Sequence, residues 1–269
     1  MHQSQVTLMR GHSAPLIFLQ VPKTAGVTLT NLVLRHFRSN EIYLTRGDVN
    51  AAVARLKALP EAARMRIRCL KGHQAFGLHE YLAPGARYIT MLREPVARIA
   101  SHYEFVRKRP EHYMHPQLVE RNIQTLADYA TSRITGELHN GQTRLLAGVW
   151  DDRPLDEAHL VQAIANLEQH FDWIGLMERF DESVVMLALH MRWANVLYRV
   201  SNVGARWRAS SLDPEVSRLI EQENTLDMQL YEYAVRRFDR IGRSARVVRS
   251  LAARGLSIAN QTMSRLQKR

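Results

Sequence analysis

Two short stretches of this 269-residue sequence combine charge, small residues and hydroxyls in a way suited to holding anions. The first spans Leu16–Leu32: an apolar run, a turn of Pro22, Lys23, Thr24, Ala25 and Gly26, then a helix-patterned segment. Small side chains at Ala25 and Gly26 let backbone N–H groups approach a ligand closely. A helix starting there adds unpaired donors and a partial positive charge. Lys23 supplies a full charge beside them, and Thr24 and Thr28 add hydroxyls. A Walker A loop has its lysine directly after its second glycine, whereas Lys23 precedes Gly26 and no glycine lies upstream in the turn. The second stretch is Arg87–Tyr103 (RYITMLREPVARIASHY), with the fork of Arg93 at a strand end and Ser101 on the helix that Pro95 opens. A third candidate is His73, which follows a strand in Lys71-Gly72-His73-Gln74-Ala75-Phe76. An imidazole with an ordinary pKa near ~6.5 can take a proton from a hydroxyl at neutral pH. His79, His102 and Glu41 are the alternatives for that role.

The order Val21-Pro22-Lys23-Thr24-Ala25-Gly26-Val27-Thr28 after an apolar strand resembles the 5′-phosphosulfate motif of sulfotransferases. The likeness is greatest to the carbohydrate type that includes the uronyl 2-O-sulfotransferases, which use 3′-phosphoadenosine 5′-phosphosulfate (PAPS). Arg87–Tyr103 is similar to that family's 3′-phosphate motif, and the Gly72-His73 segment to the region of its catalytic histidine. Weaker similarity runs through Asn140–Gly148, Phe171–Phe180, Val200–Gly204 and Asn224–Ala234; Val27 departs from the hydroxyl residue that relatives often carry. The resemblance implies that Lys23, Thr24, Ala25, Gly26 and Thr28 hold the 5′-phosphosulfate, with Lys23 assisting departure of the phosphate. It implies that Arg93 and Ser101 hold the 3′-phosphate and that His73 is the base; Asn202 lies in a late loop expected to close over the nucleotide. Gln142 and Arg144 are the expected acceptor contacts. The products would be 3′-phosphoadenosine 5′-phosphate (PAP) and a sulfated hydroxyl on a glycan or glycolipid, with no metal required. A P-loop-type nucleotide kinase or ATP-binding protein is the competing reading. So is a catalytically inactive nucleotide-binding module.

The elements that must position these residues alternate between strands and helices, which predicts an α/β fold. Its form would be P-loop-like and three-layered, a central parallel sheet flanked by helices with a helix-rich C-terminal half. Strands are expected at Pro15–Val21, Glu41–Thr45, Ile67–Lys71, Tyr88–Leu92, Trp173–Leu176 and Val196–Val200. Helices are expected over Val49–Ala63, from Pro95 to Arg107, over Leu155–Gln169 and Asp181–Trp193, and from Asp213-Pro214-Glu215 towards Phe238. Lys108–Gln117, rich in His and Pro, reads as a surface loop near the ligand mouth.

Charge separates the body from the tail. Residues 236–269 hold ten Lys or Arg against Asp239, a net of +9 within a total of +11. The expected organisation is a sulfotransferase domain over 1–238 (motif-bearing core 15–238) and a basic amphipathic tail over 239–269. The tail's arginine face is suited either to solvent or to an anionic surface or partner. It lacks the interleaved aromatics of a nucleic-acid track. The longest apolar runs are far short of the ~20 residues of a membrane span, and the first residues lack a signal-peptide core. Cys69 has no internal disulfide partner. Together these lead to the expectation of a cytoplasmic protein.

Overall fold

The computed structural model describes residues 14–45, 47–193, 197–198, 209–242 and 255. Five strands form one parallel sheet: β1 (Leu16–Leu19), β2 (Ile42–Thr45), β3 (Cys69–Gly72), β4 (Arg87–Leu92) and β5 (Phe171–Leu176), in the order β2-β3-β1-β4-β5. β1 occupies the centre, and its four residues are all buried. Ile17 and Leu19 point to one face with Leu70, Tyr88, Leu92 and Phe171. Leu16 and Phe18 point to the other with Cys69, Ile89, Met91 and Trp173. A strand covered on both faces needs an unbroken apolar run, and that is what Leu16–Leu19 supplies.

The helices are α1 (Gly26–Leu34), α2 (Val49–Ala58), α3 (Glu61–Arg64), α4 (Pro95–Arg107), α5 (His115–Glu120), α6 (Leu126–Thr131), α7 (Gly141–Ala147), α8 (Glu157–His170), α9 (Phe180–Met191), α10 (Pro214–Glu223) and α11 (Thr225–Gly242). α1 and α9 cover the Phe18 face through Leu29, Leu32, Val33, Val184 and Leu187. α8 and α11 cover the other face through Leu160, Leu167, Leu230, Ala234 and Phe238. The C-terminal half is helix-rich.

Departures from the sequence expectations have local causes. The helix expected over Val49–Ala63 is two, because Pro60 drives Leu59 to an extended conformation (φ −62°, ψ 143°) and lacks an N–H. The long helix expected after Asp213 breaks at Asn224 (φ −130°, ψ 37°). α5 begins inside the segment expected to be a loop, so the loop proper ends at Met114. α6 and α7 fall in the part expected to be mainly helical, but the sequence predicts no individual bounds for them; α6 is started by Thr125, whose side chain accepts from Asp128 N in a capping box.

The tail is described as far as Gly242, where it is the end of α11. There Arg237 donates to Leu167 O (2.6 Å) and Phe171 O (3.0 Å), and Asp239 pairs with Arg179 (2.6 Å). Asn202, the Val200–Gly204 similarity and nearly all the later basic residues lie outside the described residues. Leu197 and Tyr198, the described part of the expected strand at Val196–Val200, are not in a strand. Among the described residues, no helix is long and apolar enough to cross a membrane.

Candidate functional site

In a parallel sheet the ligand crevice lies beyond the carboxyl ends of the strands, where the chain order switches direction. Here β1 has β3 on one side and β4 on the other. The three sequence candidates follow from these strands: Lys23 after β1, His73 after β3, Arg93 after β4.

After β1 the chain turns through Lys23 (φ 69°) and Ala25 (φ 58°), both left-handed. Such residues in a turn direct neighbouring N–H groups to a common point, at a cost of order 1–3 kcal/mol each that the surrounding structure must over-determine. A Cβ at Gly26 would lie 1.9 Å from Gln20 Nε2, so a larger residue there requires the Gln20 side chain to move. α1 then starts with no side-chain cap and no acid in its first turn. The start of α4 differs, because Glu94 accepts from Val96 N (2.9 Å) and Ala97 N (2.7 Å). The helix start left without a side-chain cap is therefore that of α1, and at the end of β4 the cationic group is Arg93 itself.

Thr24 does not play the side-chain role expected of it. Its hydroxyl is buried and donates to Val21 O at 2.8 Å, which tightens the turn and leaves the backbone as its contribution to a ligand. Thr28 is also buried, on α1, and Val27 is exposed beside it.

Arg93 is buried and reaches across to the first turn, donating from Nη1 to Lys23 O at 3.0 Å. Burial lowers its pKa from the usual arginine value while Glu178, 4.0 Å from Nε, opposes that. Its backbone is held at both ends by Gln142, which accepts from Arg93 N (3.0 Å) and donates to Arg93 O (2.8 Å). Ser101 is half-buried on the following turns of α4.

The Lys23 ammonium lies 3.6 Å from the centroid of Phe105, whose ring Arg109 also covers at 3.8 Å. Burial first, then the charges of Arg109 and Arg93, bring Lys23 down to about 8. His73, directly after β3, is crowded by protein yet open to solvent. Its Nδ1 is 2.8 Å from Gln20 O. A carbonyl only accepts, so Nδ1 carries the proton and the neutral ring leaves Nε2 with its lone pair. Crowding lowers the His73 pKa below its ordinary value, with the Gln20 bond acting against it.

The alternative bases are placed less well. Glu41 precedes β2, and its carbonyl accepts from Arg68 N ahead of β3, so it lies at the amino ends of the strands, away from the carboxyl ends that carry Lys23, His73 and Arg93. His79 packs among Phe76, Tyr88 and His170, with Nδ1 3.1 Å from the Tyr88 hydroxyl. His102 has both ring nitrogens engaged, by the Tyr129 hydroxyl (2.7 Å) and Glu137 (2.9 Å).

The two expected acceptor contacts turn out to be supports. Both ends of the Gln142 amide are occupied by Arg93. Arg144 is buried and donates to Gly136 O (3.2 Å), Asp151 O and Arg153 O (2.9 Å), which holds the chain on either side of α7.

The weaker blocks of similarity converge behind Arg93. Asn140 Oδ1 accepts from Leu226 N (2.9 Å) and Asp227 N (3.0 Å) at the start of α11. Asp227 in return accepts from Gln142 N (3.1 Å), Thr143 N (2.7 Å) and the Thr143 hydroxyl (2.8 Å) at the start of α7. The two helix starts thus cap one another. Fully buried Arg98 of α4 lies 3.6 Å from Asp227 and donates to Glu137 O at 2.9 Å. Glu178, from the Phe171–Phe180 block, accepts from Glu94 N (3.2 Å) and from the Tyr231 hydroxyl (2.6 Å).

Gln20, Phe105 and Glu137 were missed in the sequence. Gln20 orients His73 and fills the space beside Gly26, but a lone Gln after a strand carries no signal. Cys69, by contrast, is buried in the core, and burial pushes its thiol up to about 12. Among the described residues, no group of three or more His, Cys, Asp or Glu is arranged to hold a metal ion.

The profile of the galactose-3-O-sulfotransferases matches residues 7–267. The chain belongs to that family. It is 26% identical to mouse galactose-3-O-sulfotransferase 3 over 284 residues, which covers 95% of this chain and 64% of the relative. To bovine galactosylceramide sulfotransferase it is 26% identical over 273 residues, covering 93% of this chain and 63% of the relative. This member thus spans under two thirds of the length of those galactose-3-O-sulfotransferase relatives. A solved structure of mouse sulfotransferase SULT7A1 complexed with PAP superimposes with a TM-score of 0.42 at 13% identity, over 82% of this chain and 89% of that one. The family is one of PAPS-dependent carbohydrate sulfotransferases, as the motifs suggested, but its match is to the galactose-3-O type and not specifically to the uronyl 2-O type.

Proposed function

We propose that this chain moves a sulfuryl group from PAPS to a hydroxyl of a carbohydrate, leaving PAP. The observation that carries the reading is the 3.0 Å bond from Arg93 Nη1 to Lys23 O, which draws the cationic groups of two separated sequence blocks to neighbouring strand ends. The residues fit the nucleotide: an uncapped helix start with Lys23 suits a 5′-phosphosulfate, and a buried guanidinium with Ser101 suits a 3′-phosphate. Asn202 is proposed as a further nucleotide contact from the later segment.

PAPS, when bound, supplies a sulfuryl group on a phosphate leaving group. His73 Nε2 takes the acceptor hydroxyl's proton as the new oxygen–sulfur bond forms. The Lys23 ammonium donates to the bridging oxygen as its bond to sulfur breaks and the electron pair passes to the phosphate. A donor aimed at that developing charge is typically worth 10²–10³ in rate. The named relatives act on galactose or galactosylceramide, so a galactoside 3-hydroxyl, on a glycan or glycolipid, is the acceptor we propose. The likeness of Gly72-His73 to the uronyl 2-O-sulfotransferases supports the choice of base.

Calorimetry with PAP and ADP, followed by sulfate transfer from PAPS to a β-galactoside, tests this. PAP should bind at least about tenfold more tightly, since only it carries the 3′-phosphate. Equal affinities, or phosphoryl transfer from ATP without response to PAPS, would refute it.

A further inference from the structure

The Glu137 carboxylate has no part in the chemistry above, yet it stands at the same mouth. Glu137 Oε1 pairs with His102 Nε2 at 2.9 Å, and 22% of the Glu137 side chain remains exposed. From His102 a continuous aromatic wall leads to the reacting centre. The His112 ring meets His102 edge-on at 6.4 Å and Phe105 at 5.5 Å, and Phe105 carries the Lys23 ammonium at 3.6 Å. Tyr113, 70% exposed, lies against His112 at 4.7 Å. The negative charge of Glu137 acts on Lys23, His73, His112 and Tyr113 alike.

Glu137 is not suited to be the base. Burial works to raise its pKa, but His102 above all, then Arg98 and His73, reverse that and hold it at about 2. A carboxylate so acidic is a poor proton acceptor at neutral pH. It is a fixed anion whose Oε1 is enclosed against His102 while 22% of the side chain as a whole is exposed, and its charge reaches the exposed ring of Tyr113. That combination suits a neutral sugar: hydroxyls donate to the carboxylate in charge-assisted bonds, and the apolar face of the ring lies on the tyrosine. A sugar bearing its own carboxylate meets repulsion there.

We infer that Glu137 and Tyr113 form the acceptor subsite and select a neutral hexose over an acidic one. The inference rests on the sulfotransfer reading above. It is tested with Glu137→Gln, using PAPS with lactose and with a uronate-terminated disaccharide. Acceptor KM and kcat, acceptor Kd on the PAP-bound protein and PAP Kd are measured. The neutral acceptor's KM and Kd should rise about 10- to 100-fold, the neutral-to-acidic ratio of kcat/KM should fall by at least about tenfold, and PAP Kd should stay within about twofold. Unchanged acceptor affinity and unchanged selectivity overturn the inference. If Glu137→Gln loses PAP binding, Tyr113→Ala, at an exposed position, decides. It should weaken lactose binding by about tenfold with PAP binding kept, and unaltered lactose affinity overturns the inference. A wild-type protein that sulfates neither sugar but binds PAP removes the sulfotransfer reading itself, and this inference with it.

Discussion

Arg93 and Lys23, 70 positions apart, are joined by a hydrogen bond from guanidinium to carbonyl. The bond makes the shape of the lysine turn depend on a side chain at the end of the neighbouring strand. The positions of the cationic groups at the two places are therefore mechanically linked.

Arg93→Ala should weaken PAP by about 100-fold or more while changing ADP affinity only a few-fold, as read by calorimetry. Arg93→Lys restores the charge but not the planar fork, and should recover only part of the loss. An equal loss for PAP and ADP would mean that the guanidinium supports the turn and does not meet the 3′-phosphate.

Gln142→Ala leaves a buried N–H and C=O of Arg93 without their partner. It should cost about 2–3 kcal/mol in denaturant unfolding and weaken PAP, with acceptor KM within about twofold. A rise confined to acceptor KM would return Gln142 to the acceptor.

The pH dependence of kcat/KM should be bell-shaped. His73 must be neutral to accept a proton, and crowding holds its pKa below the ordinary value, so activity falls only as pH drops beneath about 6.5. Lys23 must be charged, so activity also falls as pH rises through about 8. Lys23→Arg should move the alkaline limb beyond the measurable range, and His73→Ala should abolish turnover with PAP binding kept.

Asp227→Ala removes the carboxylate that faces buried Arg98 and caps α7. Breaking a buried pair on one side is expected to cost about 3–5 kcal/mol, measurable by denaturant unfolding. A loss below 1 kcal/mol would show that the pair is compensated elsewhere.

The parts of the site legible in sequence are those made by neighbours in the chain. Lys23, Ala25 and Gly26 announce a turn through their own sizes and charge, and the carboxyl ends of β1, β3 and β4 follow from short apolar runs. What an amide or guanidinium points at is a tertiary property. Gln142 and Arg144 therefore read as acceptor contacts, although they hold the backbone. The Thr24 hydroxyl faced the same ambiguity and turned inward. Glu41 reads as a base because its residue type alone does not exclude it, yet it precedes β2 and so lies at the amino ends of the strands, away from the crevice. Glu137 had no sequence signal, since its partners come from α4 and from the loop before α5. α6 and α7 are too short for periodicity to reveal; Thr125 marks the start of α6, while the carboxylate that caps α7 is that of Asp227, far along the chain.

The mutual capping of α7 and α11 has a consequence for biosynthesis. A ribosome delivers the lysine turn and the arginine strand early, yet the support beneath Arg93 needs a helix start at Asp227. Nucleotide affinity should therefore be acquired late in translation, and nascent chains stalled before that helix should elute from a PAP column.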